Sequence, residues 1–351
     1  MNSSGFDRDE YNRIKKEKEK TLITFIFVFM FSVAVGVAGA IFYFNSAGRN
    51  APRNAEQEVT PTPLPEGINT IDTYSTIMYE GREYEYNRNL TNILFLGVDQ
   101  KNEFTNAEFP GEGGQSDCIM ILSLDSSTKK VTILQISRDI MTDVDIYTGS
   151  GNYYTTVHQQ LATQYGYGDG KETSCFLTQR TVGELLYNLP ISGYLALDNS
   201  AISLMNDAVG GVTLTIPEDY TYIDEAFVAG AKVTLSGEQA EKYVRSRNKS
   251  VTGSNNERME RQTQYIPALI EAIKHKYGSS GLYDLFESLL EPYMVTDLTG
   301  EQIDEFGGYN LVTDTVYTVP GEVVAGEKYD EFYVDEEGLK KILIKMFYKP
   351  V

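Results

Sequence analysis

The run TLITFIFVFMFSVAVGVAGAIFYF, residues 21–44, is 24 residues long and contains no charged side chain. A helix rises ~1.5 Å per residue, so this one exceeds the ~30 Å hydrocarbon core of a bilayer and can span it with some tilt. Arg8, Arg13, Lys15, Lys16, Lys18 and Lys20 precede the run, and only Arg49 and Arg53 follow it closely. The positive-inside bias therefore makes 1–20 a cytoplasmic tail, 21–44 a transmembrane anchor and everything beyond it extracytoplasmic. An AGA at 38–40 has the small residues of a signal-peptidase site. The apolar run nevertheless continues through Phe42 and Phe44 and outlasts a usual signal core, which favours an uncleaved single-pass anchor at the cell membrane.

Residues 45–72 are polar, with prolines at 52, 61, 63 and 65, and read as an extended, semi-rigid stalk. The folded region is expected over 73–351, and with 41% hydrophobic residues the chain has ample material for a core. A net charge of −20 excludes nucleic acid as a partner, because phosphate-backbone binding needs a broad basic face. A basic site in such a chain must be local and specific, since the surrounding field repels anions over about a Debye length, ~8 Å. The two cysteines are Cys118 and Cys175. Cys118 lies in the apolar run DCIMILSLD and reads as a small buried hydrophobe, and a bridge between the two is left open, as is the oligomeric state.

TIMYEGREYEYN reads as a small N-terminal β-hairpin turning at Glu80-Gly81. Three near-continuously apolar runs follow, NILFLGVD (92–99), DCIMILSLD (117–125) and VTILQISRD (131–139), each of the length and composition of a buried central strand. The hairpin-length link SSTKK makes the second and third antiparallel, and the longer link 100–116 permits the same of the first pair. One edge of that sheet would then gather Asp99, Asp117, Arg138 and Asp139. Strand ends also carry ordinary surface charge, so the grouping is a functional candidate with a plain alternative. Helices are expected in TQRTVGELLYNL and in NSAISLMNDAVGGV, the latter stopped by Gly210-Gly211, and in LSGEQAEKYVRSR behind the capping box Ser236/Gln239. Helices interleaved with strands give an α/β fold, an α-β-α sandwich around a central buried sheet.

Near the end of that last helix the acidic chain places Arg245, Arg247, Arg258 and Arg261 within one short stretch, YVRSRNKSVTGSNNERMERQ. Arginine holds phosphate through a planar fork and keeps its charge, so an anionic ligand is one reading. Glu241/Arg245 and Glu257/Arg261 are also i,i+4 pairs, as on a solvated helix face. On a helix starting near Asn255, the residues Arg258, Arg261, Gln262 and Tyr265 share one face, and Pro267 should kink that helix or restart it.

NILFLGVDQ, QSDCIMILSLD, VTILQISRD, DAVGGV, LSGEQAEKYVRSR and ERMERQ occur in the order of the LytR-CpsA-Psr family of Gram-positive cell-wall enzymes, which the chain resembles over residues ~75–275. The resemblance implies a polyprenyl-pyrophosphate-binding, EC 2.7.8-type phosphotransferase. It would move a lipid-linked glycopolymer of the teichoic acid or wall-polysaccharide type onto peptidoglycan through a phosphodiester. It further implies Mg²⁺, or Mn²⁺, at Asp99 and Asp117, and pyrophosphate at Arg138, Arg245, Arg247 and Arg258 with Gln262 as a hydrogen-bonding partner, while Arg261 matches the family's arginine before that glutamine. Three positions depart from the family's usual residues: Gln115 stands for Arg, Asn255 for Asp and Ser137 for Pro. Gln115 exchanges one charged phosphate contact for a neutral donor, which weakens that contact from ~1.5–3 to ~1 kcal/mol. His158, in TTVHQQL where Asn is usual, reads as a proton-transfer group or as an ordinary solvent-facing histidine. Asp99 and Asp139 are both open as acceptor of the hydroxyl proton. The apolar faces of 185–209 and 265–290 could enclose the prenyl tail or simply be core. A non-catalytic lipid-phosphate-binding regulator and a lipid pyrophosphatase would use the same residues.

Overall fold

The three apolar runs do form the centre of the main sheet. The computed structural model describes residues 76–351, apart from 101, 102, 108, 149, 150, 249 and 279–281. The tail, anchor and stalk expected at 1–20, 21–44 and 45–72 lie outside the described residues. No helix among the described residues is long and apolar enough to cross a membrane.

In chain order the elements are β1 (Thr76–Tyr79), β2 (Arg82–Tyr86), β3 (Leu90–Val98), β4 (Ser116–Asp125), β5 (Lys130–Ile136), β6 (Met141–Tyr147), β7 (Tyr153–Gln160), α1 (Glu172–Leu185), β8 (Gly193–Asp198), α2 (Ser200–Val209), β9 (Thr213–Thr215) and β10 (Lys232–Thr234). They continue with α3 (Gly237–Arg245), α4 (Ser254–Tyr277), α5 (Leu282–Leu290), β11 (Met294–Thr296), α6 (Gly300–Phe306), β12 (Asn310–Thr318), β13 (Gly321–Ala325), β14 (Asp330–Val334), α7 (Glu336–Phe347) and β15 (Tyr348–Pro350). The main sheet has six strands in the order β11-β8-β3-β4-β5-β12. β3, β4 and β5 are mutually antiparallel as the link lengths require, while β8 and β12 join β3 and β5 in parallel.

Side chains alternate across a strand, so β3 supplies both cores. Leu94, Leu96 and Val98 face one layer with Val182 of α1, Leu186 just past its end, and Leu339, Leu343 and Phe347 of α7. Ile93 and Phe95 face the other with Met205 of α2, Val244 of α3 and Tyr265 and Leu269 of α4. The result is the three-layer α-β-α sandwich expected from the sequence. Residues 185 and 186 therefore pack away from 200–209 and 265–290, so the single apolar enclosure expected over 185–209 and 265–290 is corrected: only its later part lies on the second face.

Local signals were obeyed closely. The β1–β2 turn has Glu80 and Gly81 at positive φ (48° and 76°), α2 stops at Gly210 (φ 87°), and Ser236 and Gln239 complete the capping box of α3. α4 runs unbroken from 254 to 277 with Pro267 inside it. One pairing needs distant chain: β15 adds a third strand to the β1–β2 hairpin; the adjacent strands β6 and β7 form a separate antiparallel ribbon where the sequence reading placed no strands.

Candidate functional site

β3, β4 and β5 end together at one edge of the sheet, and the charged residues there come from their ends. Asp99 follows β3, Asp117 is the second residue of β4, and Ser137-Arg138-Asp139 follow β5. The register sets Asp117 apart. Gly97 pairs with Cys118 but Val98 pairs with Ser116, so Asp117 is the extra residue of a β-bulge. A bulge re-aims a side chain, and here Asp117 and its neighbour Cys118 both border the same cavity. Gly97 allows this close approach, since a Cβ there would lie 2.9 Å from that of Cys118.

Asp117 is gripped from two sides. Arg138 Nη1 ion-pairs with its Oδ1, and Arg258 Nη1 donates to its Oδ2 at 3.2 Å. Arg138 Nη2 donates to Gln115 Oε1 at 2.7 Å, and Arg258 Nη2 to Asn255 Oδ1 at 2.7 Å. Asn255 in turn donates to Ser137 Oγ at 3.2 Å, so two of the residues that depart from the family's usual ones touch each other. Asp99 Oδ1 accepts from Arg245 Nη2 at 2.9 Å and from Asn199 Nδ2 at 3.2 Å. Arg247 lies half-buried in the segment after α3 and makes no hydrogen bond or ion pair with the described residues. Its charge nevertheless reaches Arg138, Asp139 and Arg258.

Burial lowers Arg138 and Arg258 to about 10, with the neighbouring guanidinium charges adding to the effect. Both stay cationic at neutral pH. Arg258 also sits near the N-terminus of α4, where the helix dipole disfavours a cation. Burial pushes the Asp139 carboxyl above the usual range against the opposing charges of Arg138 and Arg247, and its Oδ1 accepts from Gln160 Nε2 at 2.8 Å.

Among the described residues, Arg138 Nε, Arg258 Nε and Asp198 Oδ2 are buried side-chain polar atoms with no hydrogen-bond partner, although Arg138 Nε ion-pairs with Asp139 Oδ1 at 3.4 Å. Such atoms are rare in folded proteins. Asp198, at the end of β8, accepts from Ser200 N at 2.8 Å through Oδ1 and borders the cavity mouth beside Asn199. Asp198 and Asn199 were not picked out from the sequence. The only sign there is a polar pair closing the run GYLALD, and its place beside Asp99 depends on β8 joining β3 in parallel.

Behind the charged mouth an apolar cavity of about 1500 Å³, open mouth included, runs between the sheet and α2, α4 and α5. Its mouth carries Asp117, Arg245, Arg258 and Gln262, and its walls include Phe95, Leu197, Met205, Ile266 and Phe286. Gln262 is fixed by donating to Val244 O at 3.1 Å.

Other expected residues fall elsewhere. Arg261 shares a helix with Arg258 but spends its donors inward: Nε on Tyr243 O at 2.7 Å, Nη1 on Glu257 at 2.6 Å and Nη2 on Ser246 O, with the guanidinium 4.9 Å over the Tyr220 ring. It therefore anchors the segment that carries Arg245 and Arg247. His158 is exposed on β7 and faces Asp143 at 3.0 Å. Cys118 and Cys175 are free thiols, and burial pushes Cys118 up to about 12.

For a metal, no group of three or more His, Cys, Asp or Glu residues gathers among the described residues. Asp99 and Asp117 suit an ion such as Mg²⁺, which takes one or two carboxylates and completes its shell with water and phosphate oxygens.

The sequence profile of the LytR_cpsA_psr family matches residues 64–346. A polyisoprenyl-teichoic acid–peptidoglycan teichoic acid transferase, TagU, from Oceanobacillus iheyensis is 26% identical over 260 residues, covering 73% of this chain and 74% of its own. The TagU of Enterococcus faecalis is 24% identical, covering 73% and 78%. Among solved structures, Bacillus subtilis TagV aligns with a TM-score of 0.55 at 20% identity over 74% of this chain and 96% of its own. TagT bound to LI-WTA aligns at 0.55 with 17% identity over 81% and 97%. With motifs, fold and profile in agreement over the same stretch, this chain belongs to the LytR-CpsA-Psr family.

Proposed function

We propose that this protein is a membrane-anchored transferase that moves a polyprenyl-diphosphate-linked glycopolymer onto peptidoglycan. The observation that carries the reading is the charged mouth: Asp117, Arg245 and Arg258 border the apolar cavity, Arg138 and Arg258 pair with Asp117, Arg245 pairs with Asp99, and the charge of Arg247 reaches Arg138 and Arg258. That arrangement suits a ligand with a diphosphate head and a hydrocarbon tail. The TagU relatives are named as transferases of a polyisoprenyl-linked polymer to peptidoglycan, which supports the same donor and acceptor classes.

In the reaction the acceptor sugar's hydroxyl oxygen bonds to the glycan-bearing phosphorus. The bridging P–O bond breaks, polyprenyl monophosphate leaves with the electron pair, and the hydroxyl proton passes to a base. Phosphoryl transfer asks the protein mainly for positioning and for cations around the developing charge. Arg247, and Arg138 and Arg258 on turning from Asp117, would bind the phosphate oxygens, and Gln115 adds a neutral amide beside Arg138. A Mg²⁺ ion on Asp99 and Asp117 would add charge neutralisation at the diphosphate. Of the two carboxylates open as proton acceptor, Asp139 is 2% exposed beneath Arg138, whereas the Asp99 side chain is 46% exposed and open to an incoming hydroxyl.

The test is reconstitution of the full chain with a lipid-linked glycopolymer and peptidoglycan. Polymer bound to peptidoglycan, with polyprenyl monophosphate released in equal amount, is the expected result. Release without attachment would instead make the protein a pyrophosphatase, and binding without release a regulator. The topology, with residues 21–44 as anchor and the folded region outside, is part of the proposal, and protection of that region from protease in wall-stripped cells would overturn it.

A further inference from the structure

We propose that Asp330, at the start of β14, is a positioning residue of the diphosphate site, acting by holding the backbone that carries Arg247. The inference rests on the functional reading above and adds a residue far along the chain from the arginine cluster.

Arg247 stands on the link between α3 and α4, half-buried and without a hydrogen bond or ion pair to the described residues. Its place is therefore set by its backbone rather than by a side-chain partner. That backbone is a series of short turns: Val251 N donates to Asn248 O at 3.0 Å, Ser250 N to Asn248 Oδ1 at 3.1 Å and Ser254 N to Val251 O at 3.2 Å. Residues 248 and 250–252 are exposed, so little packing steadies them. Two ties from other elements hold the ends. Arg261 Nη2 donates to Ser246 O at the front, and Gly253 N donates to Asp330 Oδ2 at 2.9 Å at the back.

The rear tie is one that α4 does not make for itself. Gly253 caps this helix at φ 78° and has no side chain to offer its first amides. A carboxylate beside a helix N-terminus satisfies an amide and meets the positive end of the dipole. Asp330 brings that carboxylate from another element. The helix start it steadies also carries Asn255 and Arg258, whose side chains are bonded to one another.

Asp330 is in turn fixed against the sheet edge. Its carbonyl oxygen accepts from Gln160 Nε2 at 2.8 Å, and the same amide donates to Asp139 Oδ1 at 2.8 Å. Phe332 N donates to Asp139 O at 2.9 Å, and Phe332 pairs with Ile140 as an isolated parallel bridge. β14 thus grips the backbone just after Arg138 while its Asp330 side chain grips the backbone after Arg247. The charges of Arg138 and Arg247 oppose one another, so their separation has to be held by the frame. A diphosphate is bound best by cations already fixed at its own spacing.

The experiment uses the full chain in detergent micelles, with geranyl pyrophosphate as the probe and binding read by calorimetry in the presence of Mg²⁺. The variants are Asp330→Ala, Asp330→Asn, Arg247→Ala and the Asp330→Ala/Arg247→Ala pair, each with folding checked by its melting curve. Asp330→Ala removes the acceptor of Gly253 and should weaken binding about tenfold, whereas Asp330→Asn keeps an acceptor and should stay within about threefold of the wild type. In the Asp330→Ala background, Arg247→Ala should weaken binding far less than it does in the wild type, because Arg247 is already displaced. A purely structural Asp330 would leave the two losses additive. If Asp330→Ala does not melt cooperatively, Asp330→Glu, which moves the carboxylate by one methylene, takes its place in the cycle. Additive losses, or wild-type affinity in the substituted protein, would overturn the inference and leave the functional reading standing. Absence of diphosphate binding by the wild type would overturn the functional reading itself.

Discussion

Arg138, just past β5, and Arg258, on α4, hold opposite oxygens of Asp117. The bulge residue is thus the shared anion between two buried cations from distant parts of the chain. Asp117→Asn leaves Arg258 without its ion-pair partner and leaves Arg138 only Asp139, whose Oδ1 lies 3.4 Å from its Nε. Breaking a buried pair costs ~3–5 kcal/mol, and because the Asp117 side chain is 20% exposed the expected loss is smaller, roughly 2–4 kcal/mol. Urea unfolding should show that loss and added diphosphate should recover part of it. An unchanged midpoint would mean that the arginines do not depend on this carboxylate.

Arg245 and Arg261 lie in one stretch of sequence but should fail differently. The Arg261 side chain is fully buried on two backbone carbonyls, which a lysine cannot reach together, so Arg261→Lys should cost roughly 2–4 kcal/mol of stability. The Arg245 side chain is 40% exposed, and Arg245→Lys should change stability by less than about 1 kcal/mol while weakening diphosphate binding severalfold. Parallel melting and binding curves check the contrast, and equal stability losses would contradict it.

Burial raises Asp139 above the usual carboxylate range. The folded state therefore holds that proton more tightly than the unfolded chain does. The resulting stabilisation is complete below the unfolded value of ~3.9 and is lost as pH rises through the raised folded value. Asp139→Asn removes the ionisation and keeps an acceptor for Gln160. Its melting temperature should gain on that of the wild type between pH ~4 and ~7. A difference that stays constant or shrinks over this range would contradict the assigned direction.

Ile266 lines the apolar cavity one helical turn beyond Gln262 of the mouth. Ile266→Trp should fill part of that space and leave the arginines in place. Each methylene excluded forgoes up to ~0.8 kcal/mol, so a long-chain prenyl diphosphate should bind about tenfold more weakly or worse. Inorganic diphosphate should bind as before. Calorimetry with both ligands decides, and unchanged binding of the long chain would place the tail elsewhere.

The sequence by itself determined the central antiparallel strands, because near-continuous apolar runs and link length dictate which segments are buried and which adjacent ones can pair. It also determined the edge that gathers Asp99, Asp117, Arg138 and Asp139, and the capping box that starts α3, the helix whose last residue is Arg245. These are local properties, readable within a few residues. The tertiary structure decided the rest. It made Asp117 a bulge residue, set Asn199 against Asp99, and joined β15 to the N-terminal hairpin. It also turned Arg261 inward while Arg258, three positions earlier on the same helix, reached the carboxylate edge. Helical spacing put both on one face, but that face is wide enough to meet two neighbours, the sheet edge and the end of α3. Which acceptor each guanidinium finds is fixed by the packing of distant segments, and no local pattern in the sequence encodes it.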